Sequence, residues 1–392
     1  MKKLGLLPRL VLAIACGILL GMLLPRTGIA VLATFNGLFS NFLNFVIPLI
    51  IIGFVVPGIS ELGQGAGKTL ALTAGVAYAS TILAGSLAYF TDTALFPSLL
   101  KNSANIFDFS AANPEESLVG SLFTVEMPAV MGVMTALILS FVLGLGIAAT
   151  QAEVLKKAFD EFQRIISKLI ESVIIPLLPF HVLGIFANMT FTGEVAKIMS
   201  VFLKVFALII LLHCVVILLQ YVVAGSAAGK NPIRLIRTML PAYATAIGTQ
   251  SSAATIPVTL AQTKKNGVSP EVADFVIPLC ATIHLAGSTI TLTSCSLAIM
   301  YISGMPSSFG VILPFLLMLG VTMVAAPGVP GGAVMAALGL IESMLGFNET
   351  MCALMIALYL AQDSFGTACN VTGDGAIAIL VDRIVSGWKK TA

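Results

Sequence analysis

The sequence predicts an all-α membrane protein with eight transmembrane helices and two re-entrant helical hairpins. Three observations carry this. Only 10% of the 392 residues are charged against 58% hydrophobic, with a mean hydropathy of +1.04, whereas a soluble globule carries roughly 25% charged residues. Several windows run 18 or more residues with hardly a charge, the length that a ~30 Å hydrocarbon slab asks of a spanning helix. Two further hydrophobic stretches are each interrupted by a polar or Gly/Pro-rich tip, as two half-spans joined by a turn would be.

The apolar segments run at about 10–24, 35–57, 69–90, 126–150, 165–190 and 198–224. Lys2-Lys3 ahead of the first one resembles the start of a signal peptide, but further spans follow and no A-x-A-like site precedes a soluble part, so it is read as the first span. Residues 237–262 form the first broken stretch, interrupted by Thr249-Gln250-Ser251-Ser252. A long apolar run over 272–304 comes next, then the second broken stretch over 309–341, interrupted by Pro327-Gly328-Val329-Pro330-Gly331-Gly332. The last run, 350–386, carries Asp363, Asn370 and Asp374 in its middle. A break facing lipid would leave backbone groups unpaired at several kcal/mol each, so breaks persist only against protein or water. Paired broken segments point helix ends at a ligand near the midplane.

Counting both broken stretches as hairpins and placing the N-terminus inside puts sixteen of the twenty basic residues on the cytoplasmic side, leaving Arg26, Lys101, Lys197 and Lys204 outside. That is the bias the positive-inside rule asks for. It gives spans 1–2 in 1–68, span 3 in 69–90, an external loop and spans 4–5 in 91–190, and the remaining elements in 191–392, with both termini cytoplasmic. Residues 91–120, with Asp92, Asp108, Glu115 and Glu116, fall in the loop. The expected location is the inner or plasma membrane and the expected surroundings are lipid. A net charge of +2 implies no nucleic-acid partner. The six cysteines lie in apolar stretches without CxxC spacing and read as packing residues.

Asp363 and Asp374 are eleven residues apart, close to three helical turns and therefore on one face, with Thr367 and Asn370 extending the same stripe. An ionisable group at mid-membrane is expensive unless paired, hydrated or ion-bound, and marks a functional site by default. No Lys or Arg occupies the middle of the later segments, so these carboxylates call for a cation, a substrate ammonium or a proton. The stretch Pro278 to Thr289 mixes polar and small residues around Cys280, Thr282, His284 and Ser288. It is expected to unwind and free carbonyls for a cation. His284 is either a hydrogen-bonded structural residue or a proton-coupling group. His181 and His213 read as packed, and Trp388 as an interfacial anchor.

The first tip, Gly248 to Thr259, resembles the serine-rich tip of the glutamate transporter family, the dicarboxylate/amino acid:cation symporters. Gly328-Val329-Pro330-Gly331-Gly332 and the run Asp363 through Asn370-Val371-Thr372-Gly373-Asp374 match that family in order and spacing. The resemblance implies a homotrimer, a scaffold of spans 1, 2, 4 and 5, and a transport domain of spans 3, 6, 7, 8 and both hairpins that moves like an elevator. It implies a substrate site of Gln250, Ser251, Ser252, Ser288, the second tip (Val329, Pro330, Gly331, Gly332), Asp363, Gly366, Thr367 and Asn370. In that pattern Ser252, Asn370 and tip amides hold the substrate carboxylate, while Asp363 and Thr367 hold its ammonium. One sodium ion is implied at Asp374 with carbonyls around Cys280, His284 and Asn370. A second is implied at the carbonyls of Met323, Val324 and Ala326 with Thr282.

The departures narrow the substrate. Family members for acidic substrates carry an arginine where this chain has Gly366, or alternatively at the first tip, where it has Gln250. Without either, a second substrate carboxylate would be desolvated with no cation. The family's aspartate in span 7 is Ala286 here, which removes support for a third cation site. Ala286 and the run Gln362-Asp363-Ser364 are nearer the serine/threonine branch. The expectation is a Na+-coupled importer of a small neutral amino acid, with a dicarboxylate or acidic substrate, or H+ coupling, as alternatives. An intramembrane aspartyl protease fits poorly, since its two acids must meet across helices. Here they lie on one helix about 16 Å apart, and Val371 spoils the GxGD pattern. A channel lined by the two hairpins is a weaker rival.

Overall fold

A computed structural model describes residues 6–63, 67–101, 119–193, 195–324, 326 and 331–391. All regular structure among them is helical: α1 (Leu6–Leu23), α2 (Arg26–Gly63), α3 (Gly67–Leu99), α4 (Val133–Thr150), α5 (Glu153–Leu169), α6 (Ile175–Phe191), α7 (Val195–Ala228), α8 (Pro232–Thr249), α9 (Ser252–Lys265), α10 (Pro270–Ile283), α11 (Ala286–Ile302), α12 (Phe309–Val324), α13 (Gly332–Leu345) and α14 (Glu349–Thr391). Six stretches are long and apolar enough to cross a membrane: Arg26–Ser60, Lys68–Leu99, Glu153–Phe191, Met199–Ala228, Pro270–Ile302 and Glu349–Gly387. Val11–Leu23, Ile138–Thr150, Phe309–Val324 and Gly332–Leu345 are shorter and equally apolar in character.

Helices outrun their apolar windows because polar ends still complete turns. The entry of α8 shows the local cause. Asn231 caps it by accepting from the Ile233 and Arg234 amides at 2.9 and 3.2 Å, with Pro232 in the first turn. Two expected boundaries are corrected. Residues 91–99 are not loop: α3 continues to Leu99, because Ala88, Tyr89, Phe96 and Leu100 keep a buried apolar side going through the polar Thr91-Asp92-Thr93. Asp92 is fully buried rather than solvated. Conversely, 126–132 is not helical, and α4 starts only at Val133 after Pro128 and Gly132. The expected loop acids Asp108, Glu115 and Glu116 lie outside the described residues.

The helices pack in two groups. One is α1, α2, α4, α5 and α6, with α1 against α6 and α2 against α4, α5 and α6. The other is α3 and α7 to α14, centred on α14, which meets α7, α8, α9, α10 and α11. Their seam runs where α12 and α13 touch α2, α13 touches α4, and α14 touches α1 and α6. A π-helical turn, Ile170–Ile174, joins α5 to α6. Along that joined helix Ile166, Ile170, Ile174, Leu178 and Val182 are buried, at most 2% exposed. Ile166 lies over Gly53 of α2.

Candidate functional site

The two broken stretches fold as helix pairs, α8 with α9 and α12 with α13, each pair packed on itself. At the first tip Gln250 takes the left-handed conformation (φ 53°) as the C-cap of α8. Ser251 then caps α9, accepting from the Ala254 amide at 3.3 Å. Thr249 and Thr255 hydroxyls meet at 3.0 Å, and Thr255 donates to the Ser251 carbonyl at 2.8 Å. Ser252 is buried in the first turn of α9, which packs along α14. At the second tip Val329 and Pro330 lie outside the described residues. Gly331 holds φ 75°, a region a Cβ disfavours, and its amide donates to Asp363 Oδ2 at 2.7 Å. Gly332 begins α13, so the Asp363 carboxylate sits at the positive end of that helix.

The run over 272–304 unwinds where expected. α10 ends at Ile283, His284 and Leu285 leave the helical region, and α11 starts at Ala286. Asn370 of α14 fills the break. Its Oδ1 accepts from the Gly287 and Ser288 amides at 2.7 and 3.3 Å, and its Nδ2 donates to Ser288 Oγ at 3.0 Å. The contact demands glycine at 287, where a Cβ would lie 2.5 Å from the Gly366 carbonyl oxygen and 2.6 Å from Cys369 Cβ. At Gly366 itself a Cβ would meet only ordinary contacts, 3.6 Å from Ser288 N and Thr291 Oγ1. Sterics therefore do not exclude a side chain at 366.

Asp363 and Asp374 are both buried on α14 but serve different elements. Asp374 Oδ1 lies 2.9 Å from His284 Nδ1. The paired residue is thus an imidazole, which a search for Lys or Arg passes over. His284 Nε2 is 3.1 Å from Ser80 Oγ, and Gln220 Nε2 donates to the same oxygen at 2.9 Å. His213 is buried, with its Nε2 3.0 Å from the Gly287 carbonyl oxygen, and His181 packs on Phe39 at 5.0 Å between rings. Thr367 is buried one turn beyond Asp363. Thr282 donates to Leu279 O at 2.8 Å, and Met323 O accepts from the Ala326 amide at 3.3 Å. Val324 ends α12, which packs on α10, so these residues sit on neighbouring elements without a bond between them. The Cys280 carbonyl accepts the His284 amide at 2.9 Å.

Three contributors were not singled out from sequence. Tyr359, one turn before Asp363, neighbours that carboxylate and donates to Ser288 Oγ at 3.0 Å. Ser80 and Gln220 reach His284 from α3 and α7, 204 and 64 residues away. No spacing rule links partners so distant.

Buried carboxylates on a central helix, an unwound crossing helix stapled by an amide, and two pairs of half-length helices packed around them are the features of a helical membrane transporter. The comparisons specify it further. The chain matches the sodium:dicarboxylate symporter family over residues 6–384, and it belongs to that family. It is 25% identical over 404 residues to a serine/threonine transporter of Streptococcus thermophilus, covering 100% of this chain and 98% of that one. It is also 25% identical over 394 residues to a serine/threonine transporter of Acinetobacter baumannii, covering 97% of each.

Proposed function

We propose that this chain is a Na+-coupled symporter importing a small neutral amino acid of the serine, threonine or alanine kind. The observation that carries the reading is Asp363 at the second tip, a buried carboxylate bonded to the Gly331 amide and flanked by Thr367. Its second oxygen can take an ammonium, while the N-terminal ends of α9 and α13 suit a carboxylate. With Gly366 and Gln250 in place of a cation, a second carboxylate finds no partner, so neutral substrates are favoured. Asn370 in this conformation is spent on α11, so its share of substrate binding needs the Gly287–Ser288 staple to loosen; otherwise it acts by fixing Ser288. The serine/threonine transporters among the relatives support the same substrate class.

In this reading α1, α2, α4 and α5–α6 are the scaffold, and α3 with α7 to α14 is the transport domain. The eight spans and two hairpins cross an inner or plasma membrane with both termini cytoplasmic. Three copies assemble, and the transport domain moves as an elevator. The two packing groups and their narrow seam support the division. Sodium binds at Asp374 with carbonyls around Cys280, His284 and Asn370, and at the carbonyls of Met323, Val324 and Ala326 with Thr282, hard-oxygen sets suited to that ion. Two ions per cycle follow from Ala286.

One observation favours a second reading. His284 holds Asp374 through one nitrogen and faces Ser80 through the other, and a serine hydroxyl accepts from an imidazolium or donates to a neutral ring. That arrangement accommodates a proton. Reconstituted protein decides between them: accumulation of serine under an inward sodium gradient at symmetrical pH supports sodium. Uptake indifferent to sodium, driven by a pH gradient and lost in His284→Ala, supports protons.

A further inference from the structure

Asp92 plays no part in the site described above, yet it is fully buried in α3. The helix runs parallel to α11: Ser80 meets His284, Gly85 lies against Thr289 and Thr293, and the Phe96 and Tyr301 rings pack at 6.1 Å. That register sets Asp92 level with about Ser296, and its carboxylate neighbours Ser294 and Cys295 within the same turns of α11. Neither carboxyl oxygen has a hydrogen-bonded partner in the protein, and the Thr293 and Ser294 hydroxyls are equally unpartnered.

Among the described residues no cation faces this acid. Of the elements packed against α3, α12 holds no ionisable residue, and α11 brings only Cys295 and Tyr301. From α14 come the acids Asp363 and Asp374 with Tyr359, Cys352 and Cys369; from α10 come Cys280 and Asp274, with His284 just beyond it held by Asp374. On α7, His213 is engaged with Gly287 and Thr291, Cys214 is exposed, and Lys204 donates to the Leu99 carbonyl at 2.9 Å, seven residues past Asp92. An ionised carboxylate without a partner in a dry seam costs several kcal/mol. A sodium ion would have to accept a thiol neighbour, a poor match for a hard cation. A proton needs only one acceptor, and Ser294 Oγ, unpartnered in this conformation, is a neighbour that a turn of either side chain can bring to it.

We infer that Asp92 is a proton-binding site: between α3 and α11 it is a neutral carboxylic acid that donates to Ser294. Infrared difference spectroscopy between the wild-type protein and Asp92→Asn at neutral pH tests this, with and without sodium. The expected result is a protonated-carboxyl C=O band present in wild type under both conditions and absent from the variant. Ser294→Ala should move that band to higher wavenumber, which also assigns it if Asp92→Asn fails to fold. A wild type lacking the band, or a band that disappears when sodium is added, would overturn the inference, the latter in favour of a cation site. The measurement needs no substrate, so its outcome does not depend on the transport reading.

Discussion

The two hairpin tips solve the same problem by different means. The first tip carries bonds within its own turn: Ser251 caps its own helix, and the Thr249 and Thr255 hydroxyls close the turn locally. The second is tied elsewhere, through the Gly331 amide to Asp363 on α14. A turn that supplies its own partners keeps its shape whatever occupies the site. A turn clipped to a carboxylate depends on that carboxylate, which an incoming ammonium would share. Under the proposed function, the second tip is the part expected to respond to ligand, and the first the steadier of the two.

The strongest way to break this contrast is Asp363→Asn. It removes the charge from both the clip and the proposed ammonium partner. Charge-assisted hydrogen bonds contribute about 1.5–3 kcal/mol each, so uptake by reconstituted protein should fall by about 100-fold or more. The elution volume on size exclusion should be unchanged. Uptake at the wild-type level would refute the assignment. Next, Asp374→Asn should abolish accumulation driven by a sodium gradient, measured at symmetrical pH. A smaller effect tests the missing cation near Asp363: Gly366→Arg, which has ordinary room for its Cβ, should let aspartate compete with serine, improving its apparent affinity by roughly tenfold, or about 1.4 kcal/mol. No gain would mean that a side chain there points to α11 rather than into the site.

The smallest effects compare the tips directly by thermal unfolding. Gly331→Ala forces a Cβ into a left-handed backbone and to within 2.8 Å of Leu360, costing about 1–2 kcal/mol. Ser251→Ala loses a cap at about 1 kcal/mol. If the contrast holds, a saturating neutral amino acid leaves the deficit of Ser251→Ala relative to wild type unchanged and widens that of Gly331→Ala, whose tip no longer closes on Asp363.

Much of this layout is legible in sequence for physical reasons. The hairpins announce themselves because a polar tip inside an apolar run has few ways to satisfy its backbone. Unwinding at His284-Leu285 follows from small and polar residues in mid-span. The rest is hidden where composition and geometry disagree. Thr91-Asp92-Thr93 reads as the edge of a loop, yet helix α3 passes straight through it, because burial on one face decides the matter. Residues 126–132 read as span, yet Pro128 and Gly132 keep them extended. The Asp374 partner escaped because it is an imidazole whose second neighbours, Ser80 and Gln220, come from two other helices. The resemblance implies a substrate role for Asn370, and nothing in the sequence tells that the unwound amides of Gly287 and Ser288 also bond it.

The π turn between α5 and α6 has a consequence for phase. Ile166, Ile170, Ile174, Leu178 and Val182 are spaced by four. On a regular α-helix each step of four overshoots a full circle by about 40°, so the fifth would lie about 160° around from the first. The wider turn over Ile170–Ile174 advances less per residue and takes back about half of that, keeping the row within an apolar stripe roughly 100° wide. The wide turn thus works like a vernier, matching a ruler marked in fours to one marked in 3.6: it takes up one extra residue in the chain and leaves α6 facing α2.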